Sequence, residues 1–182
     1  MQLSHWVLGA ALMGFVPLAS ALDSKTKLSM LHDLHDNKTP EVILKLKQLL
    51  QANPKDKEAR FLLAKCYFNL HRYELAKKEL ERSRELGIDK ADWMPLLADI
   101  YLSEGSYHKL QDDFNLQTLG QYSDAPWVLK IKNSLAQAYL AQKQNEQAKE
   151  LFQAILKENP HETEAWIGLT QTALLEQNKK AA

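Results

Sequence analysis

The sequence predicts an all-α protein, a solenoid built from antiparallel helix pairs. Three observations carry that reading. The phrase Leu-Ala-x-x-Tyr occurs three times, as Leu63, Ala64 and Tyr67, as Leu97, Ala98 and Tyr101, and as Leu135, Ala136 and Tyr139. The copies are regularly spaced: Ala64 to Ala98 is 34 residues and Ala98 to Ala136 is 38, which is the period of stacked helical repeats. Glycine and proline are scarce, six of each in 182 residues. Two of the prolines stand in Asn53-Pro54 and Asn159-Pro160, where proline closes one helix and opens the next.

Composition narrows the function. The chain is 45% hydrophobic and 25% charged, which is globular and excludes a disordered chain. Lys+Arg and Asp+Glu number 23 each. A nucleic-acid binder carries a basic excess that this chain lacks, and a membrane-surface protein held by charge is disfavoured for the same reason. A single cysteine, Cys66, forbids an intrachain disulfide or a cysteine-rich metal cluster. Its place beside Tyr67 in a packed helix suggests a buried, inert thiol.

In chain order, residues 1–21 read as a secretory leader. No Asp, Glu, Lys or Arg precedes Asp23, Trp6 to Leu18 is apolar, and Ala19-Ser20-Ala21 forms a small-x-small cleavage site. The alternative is an uncleaved anchor, although the run is short of the about 20 apolar residues that a span needs. No cysteine near residue 22 permits lipidation. Cleavage would leave a soluble chain in a periplasmic or secreted location, with no later segment able to span a membrane.

The array is expected over 22–176, as units 23–56, 57–90, 91–128 and 129–162 and a lone first helix at 163–176, with 177–182 a frayed tail. VILKLKQLLQANP and AKELFQAILKENP close the first and fourth units in parallel phrases. The four extra residues of the third unit belong in QTLGQYSDAPWV. Ala64, Ala98 and Ala136 stand where paired helices cross closely, with Ala76 and Ala148 as their counterparts in the second helices. Leu110 and Val42 replace that small residue in the third and first units, and so suggest wider crossings. Leu80, Phe114 and Phe152 are the large apolar residues of the second helices. Glu74 with Lys78, and Lys77 with Glu81, are spaced to pair on the solvated face. The closing helix keeps Ile167, Leu169, Leu174 and Leu175, which is apolar for a cap. It either docks something further or belongs to a shortened form of a longer array.

No arrangement of catalytic weight emerges. His32 and His35 share a helix face near Asp33 and Asp36, but no third metal ligand is evident. His108 with Asp112 and Asp113 does not match a calcium loop. GxGxxG, GxxxxGK[ST] and GxSxG are all missing from the sequence. No cofactor or metal is expected, and the protein reads as non-enzymatic.

Two helices per 34 residues with these small and aromatic positions resemble the tetratricopeptide repeat family. That resemblance implies a right-handed superhelix whose first helices line a concave groove. The groove positions are then Lys27, Leu31 and Leu34; Phe61, Lys65, Phe68 and Asn69; Asp99, Leu102 and Ser103; Asn133, Gln137 and Leu140; and Ile167 and Gln171. This mixed surface suits a protein or peptide partner better than a polyanion. Phe61 and Phe68, seven residues apart, form a candidate anchor, or else they pack the neighbouring helix. Replacing both with alanine is expected to abolish binding through the groove.

A narrower likeness runs over roughly residues 38–176. Glu58 to Leu63, Ala76 to Leu80, Glu85-Leu86-Gly87, Met94 to Leu97 and the linker Gln117 to Leu129 are similar to the early repeats of the PrsT-type family. Those are long repeat proteins linked to PEP-CTERM and exosortase loci. The family members are longer, and many are lipoproteins. The likeness implies a scaffold role in envelope exopolysaccharide or protein-sorting assembly. The competing expectation is a self-associating structural protein that uses the helix at 163–176, or a truncated array.

Overall fold

The structure, a computed structural model, describes residues 23–35, 38–123 and 125–181. The leader expected at 1–21 lies outside them. Among the described residues the architecture is all-α. The helices in chain order are α1 (Ser24–His35), α2 (Thr39–Ala52), α3 (Lys57–Asn69), α4 (Tyr73–Glu85), α5 (Lys90–Glu104), α6 (Tyr107–Asp113), α7 (Leu116–Gly120), α8 (Pro126–Ala141), α9 (Asn145–Glu158) and α10 (Thr163–Ala181). They stack as an antiparallel helix-pair solenoid. α1 pairs with α2, α3 with α4, α5 with α6 and α8 with α9, and α10 lies against α9 and α8. α10 continues to Ala181 and so includes the segment in which fraying was expected.

The turns explain the repeat. Asn53 and Asn159 both close a helix with extended backbone, their N–H groups donating to Leu49 and Ile155. Asp56 then caps α3 by accepting from the Ala59 N–H at 2.9 Å. Between the helices of a pair, one residue turns into the left-handed region: His71 (φ 55), Gly105 (φ 78) and Lys143 (φ 62). In each case the next N–H reaches back to the carbonyl of the motif tyrosine: Arg72 to Tyr67, Ser106 to Tyr101 and Gln144 to Tyr139, at 2.8–2.9 Å. These are the reach-back bonds of a left-handed helix stop.

The third unit departs from this pattern. α6 has seven residues. Asn115 then starts α7 by accepting from the Thr118 N–H at 2.8 Å, and a turn over 121–123 leads to Pro126. The detour is anchored, because Leu119 is fully buried and Tyr122 packs its ring 5.4 Å from that of Trp127.

Packing follows the motif positions. Ala64, Ala98, Ala136, Ala76 and Ala148 are all fully buried, as are Val42 and Leu110 in the units that lack the small residue. Two apolar clusters form. Leu96 and Ile100 of α5 belong to the N-terminal cluster, and Met94 and Ala98 to the C-terminal one. Each pair is four residues apart, so opposite faces of α5 join the two clusters. Cys66 is fully buried, and that burial pushes its thiol up to about 12.

Lys77 differs from its expected surface role. It pairs with Glu74 at 2.7 Å and, across the pair boundary, with Glu104 at 2.9 Å. Burial works against the charged ammonium, but the hydrogen bonds to these two carboxylates outweigh it and raise the group above its ordinary value. Lys149 and Glu176 stand at the same repeat register, 3.5 Å apart. Arg60 holds Glu79 at 2.7 Å and the Pro54 carbonyl at 2.5 Å. Trp166, at the same register in the last unit, donates its indole N–H to the Pro160 carbonyl at 3.0 Å.

Candidate functional site

The first helices of successive pairs lie side by side, so residues at one repeat register come together from several helices. The clearest result is a cleft of about 310 Å³ between α5, α8 and α10, lined by Asp99, Leu102, Lys130, Asn133, Ser134, Gln137 and Glu164. Four of these, Asp99, Leu102, Asn133 and Gln137, are groove positions expected from the repeat. Lys130, Ser134 and Glu164 are additions.

The cleft is polar and partly organised. Lys130 Nζ lies 2.7 Å from Asp99 Oδ2. The Ser134 hydroxyl donates to the Lys130 carbonyl at 3.2 Å and reaches Asp99 Oδ1 at 3.4 Å. Asn133 is 3% exposed. Its Nδ2 donates to Glu162 Oε1 at 3.3 Å, while its Oδ1 is buried and accepts no hydrogen bond from the protein. Buried polar groups are nearly always satisfied, so this oxygen is an exception among the side chains of the cleft.

The remaining expected positions fall elsewhere along the first helices. Leu34, Phe68, Asn69 and Ser103 line a second cleft of about 580 Å³ with Thr39, Pro40, Leu70 and His71. The two clefts meet on α5, where Leu102 lines one and Ser103 the other. Leu31 is half-buried against the N-terminal cluster. Phe61 is 6% exposed and part of that cluster, with Lys65 Nζ 5.8 Å from its ring centre. Phe68 packs against the same cluster and lies 6.2 Å from the ring of Tyr73. Lys27 pairs with Glu58 at 2.5 Å. Leu140 is half-buried against the C-terminal cluster, and Ile167 and Gln171 are exposed on α10.

Two of the additions, Lys130 and Glu164, share a signal in the sequence. Glu58, Asp92, Lys130 and Glu164 occupy one register, separated by 34, 38 and 34 residues, one turn before the groove position of Phe61 and Asn133. That row forms the charged edge of the first helices. Asp92 lies on it half-buried, and burial raises its carboxyl above the ordinary range against the nearby Lys27 charge. Among the described residues, no group of three or more His, Cys, Asp and Glu side chains is placed to hold a metal ion. No described helix is long and apolar enough to cross a membrane.

Comparison with known proteins agrees with this architecture. Residues 34–100 and residues 129–172 each match the tetratricopeptide repeat. No curated protein sequence matches the chain. Among solved structures, the chain is similar to YrrB, described as a TPR protein with an unusual peptide-binding site. The TM-score is 0.58 and the identity 13%, over 86% of this chain and 79% of YrrB, a likeness of fold. The chain belongs to the tetratricopeptide repeat family, a non-catalytic scaffold fold.

Proposed function

We propose that the protein is an exported adaptor that holds a peptide segment of a protein partner in the cleft between α5, α8 and α10. The observation that carries this reading is the buried Asn133 Oδ1, which accepts nothing from the protein. A turn of the Asn133 side chain brings this oxygen to the cleft surface, where a backbone N–H of a bound peptide satisfies it, and the surrounding Asp99, Lys130, Gln137 and Glu164 supply further polar partners at the mouth. An unpaired buried acceptor costs the free protein about 1–3 kcal/mol, and binding recovers that cost. The peptide-binding site named for YrrB supports a peptide as the partner class. The second cleft, at Phe68 and Asn69, extends the same row of helices and gives a longer peptide somewhere to run.

The leader pattern at 1–21 supports export. The likeness to the PrsT-type repeats supports a scaffold role in envelope exopolysaccharide or protein-sorting assembly. Expression in a bacterial host tests export: the periplasmic chain is expected to begin at Leu22, and a full-length chain confined to the cytoplasm refutes it.

The binding test uses a peptide selected against the full chain from a random display library and titrated by calorimetry. Asn133→Leu keeps the volume and removes the acceptor. The expected result is at least tenfold weaker binding with the melting temperature unchanged or raised. Equal affinity for both proteins would remove Asn133 from the site.

A further inference from the structure

We infer that the bound peptide carries a basic side chain, an arginine, that pairs with Glu164 in the cleft beside Asn133. This rests on the peptide reading above and names the chemistry of the segment that the cleft holds. The charged edge of the first helices points to it. Glu58 of α3 meets Lys27 of α1 at 2.5 Å, and Lys130 of α8 meets Asp99 of α5 at 2.7 Å. In both pairs the partner stands on the preceding first helix, 31 residues earlier in the chain. The same step back from Glu164 of α10 arrives at Asn133 of α8, a neutral amide. Both residues line the cleft. Where Glu58 has a lysine, Glu164 has none.

The surroundings do not make up the deficit. The two cations of α8 are engaged, Lys130 with Asp99 and Lys132 with Glu158 at 2.5 Å. Glu162, just before α10, has both carboxylate oxygens held by neutral amides, from Asn133 at 3.3 Å and Asn159 at 3.2 Å. Three carboxylates, of Asp99, Glu162 and Glu164, thus stand at the cleft against one ammonium. The start of a helix favours acids in any case. Yet Glu58 lies in the first turn of α3 as Glu164 does in that of α10, and Glu58 still has its cation.

The acids are not the only open groups. Asn133 is 3% exposed and its Oδ1 accepts nothing from the protein. The backbone of the peptide supplies a donor there, and the carboxylates beside it are left for a side chain. That side chain must donate and carry positive charge. Arginine suits the task better than lysine, because its guanidinium offers five N–H donors in a planar fork and no acceptor. The fork matches a carboxylate with two parallel bonds. Leu102 gives the methylene stem an apolar wall. At about 310 Å³ the cleft is at the low end for ligand sites, room for one long side chain.

Peptides selected against the full chain from a random display library, then titrated by calorimetry, test this. Far-UV circular dichroism confirms that each variant is folded. The selected peptides are expected to share an arginine at one position. Glu164→Lys is expected to weaken such a peptide by about tenfold, and Glu164→Gln by about threefold. Lysine in place of the peptide arginine is expected to cost about threefold. Glutamate in its place is expected to reverse the order, so that the Glu164→Lys chain binds more tightly than the parent. Selected peptides with no shared basic residue, or equal affinity of an arginine peptide for the parent and the Glu164→Lys chain, would overturn the inference. Equal affinity for the lysine peptide would overturn the choice of arginine. A peptide weakened by Asn133→Leu but not by Glu164→Lys leaves the peptide reading standing and removes the arginine. No selectable peptide, or peptides indifferent to both substitutions, would overturn both readings.

Discussion

Gly168 shows how closely the last two helices approach. A Cβ at this position would lie 2.2 Å from Cζ of Phe152, and Phe152 is fully buried. Gly168→Ala must displace a core ring and is expected to cost about 2–3 kcal/mol in urea unfolding. Gly87→Ala meets nothing within 4 Å but sits at φ 82, and is expected to cost only about 1 kcal/mol. Equal losses at the two sites would contradict the packing account. Cys66 gives a different readout. Its buried thiol titrates near 12, against an ordinary value of 9.0. The folded state then binds the proton more tightly than the unfolded one. Its contribution to stability is fully present below pH 9 and is lost as pH rises towards 12. At pH 8 the native protein is expected to resist alkylation that proceeds at once in denaturant. Fast native labelling would show that the α3 core is open.

At the scale of the element, the pair turns and the irregular third unit carry the argument. Lys143 holds a left-handed conformation that suits glycine, and its side chain is exposed. Lys143→Gly relieves the backbone but loosens the unfolded chain, and a net gain of about 0.5 kcal/mol is expected from thermal unfolding. A loss would mean that the side chain matters to the turn. Glu104 is held below its ordinary carboxylate range: burial opposes this, but the hydrogen bonds from Lys77 and Ser106 and the charges of Lys77 and Lys109 together outweigh it. Its contribution is therefore present above pH 4.5 and is lost as pH falls through the lowered value.

Elements also show what the sequence made legible. α3, α4, α8 and α9 could be read because the Leu-Ala-x-x-Tyr phrase, the paired alanines and Asn-Pro mark one repeated packing problem. The short α6 and the extra α7 could be located only as four surplus residues, since nothing periodic says how an insertion folds. The groove registers were likewise readable, but depth was not. Phe61 and Asn133 share a register, yet one fills a core and the other lines a cleft, a difference set by neighbours on adjacent helices. The edge row of Lys130 and Glu164 follows from the same spacing.

The whole molecule is a line of contacts in which each pair meets its neighbours, so stability should be graded along it. Among its described side chains α1 buries Met30, at 4% exposure, and leaves Leu28 70% exposed. Its amides are expected to exchange with solvent first, and those of α3, α5 and α8, which hold the two apolar clusters, last. Uniform protection from α1 to α9 would instead indicate one cooperative block. The joining role of α5 places the cleft at Asn133 beside the helix that both clusters share, on the rigid part of the array. The most direct test is a crystal structure of the full chain with a peptide selected for binding. The account predicts a peptide between α5, α8 and α10 with a backbone N–H donating to Asn133 Oδ1. A peptide bound elsewhere, with that oxygen still unpaired, would contradict it.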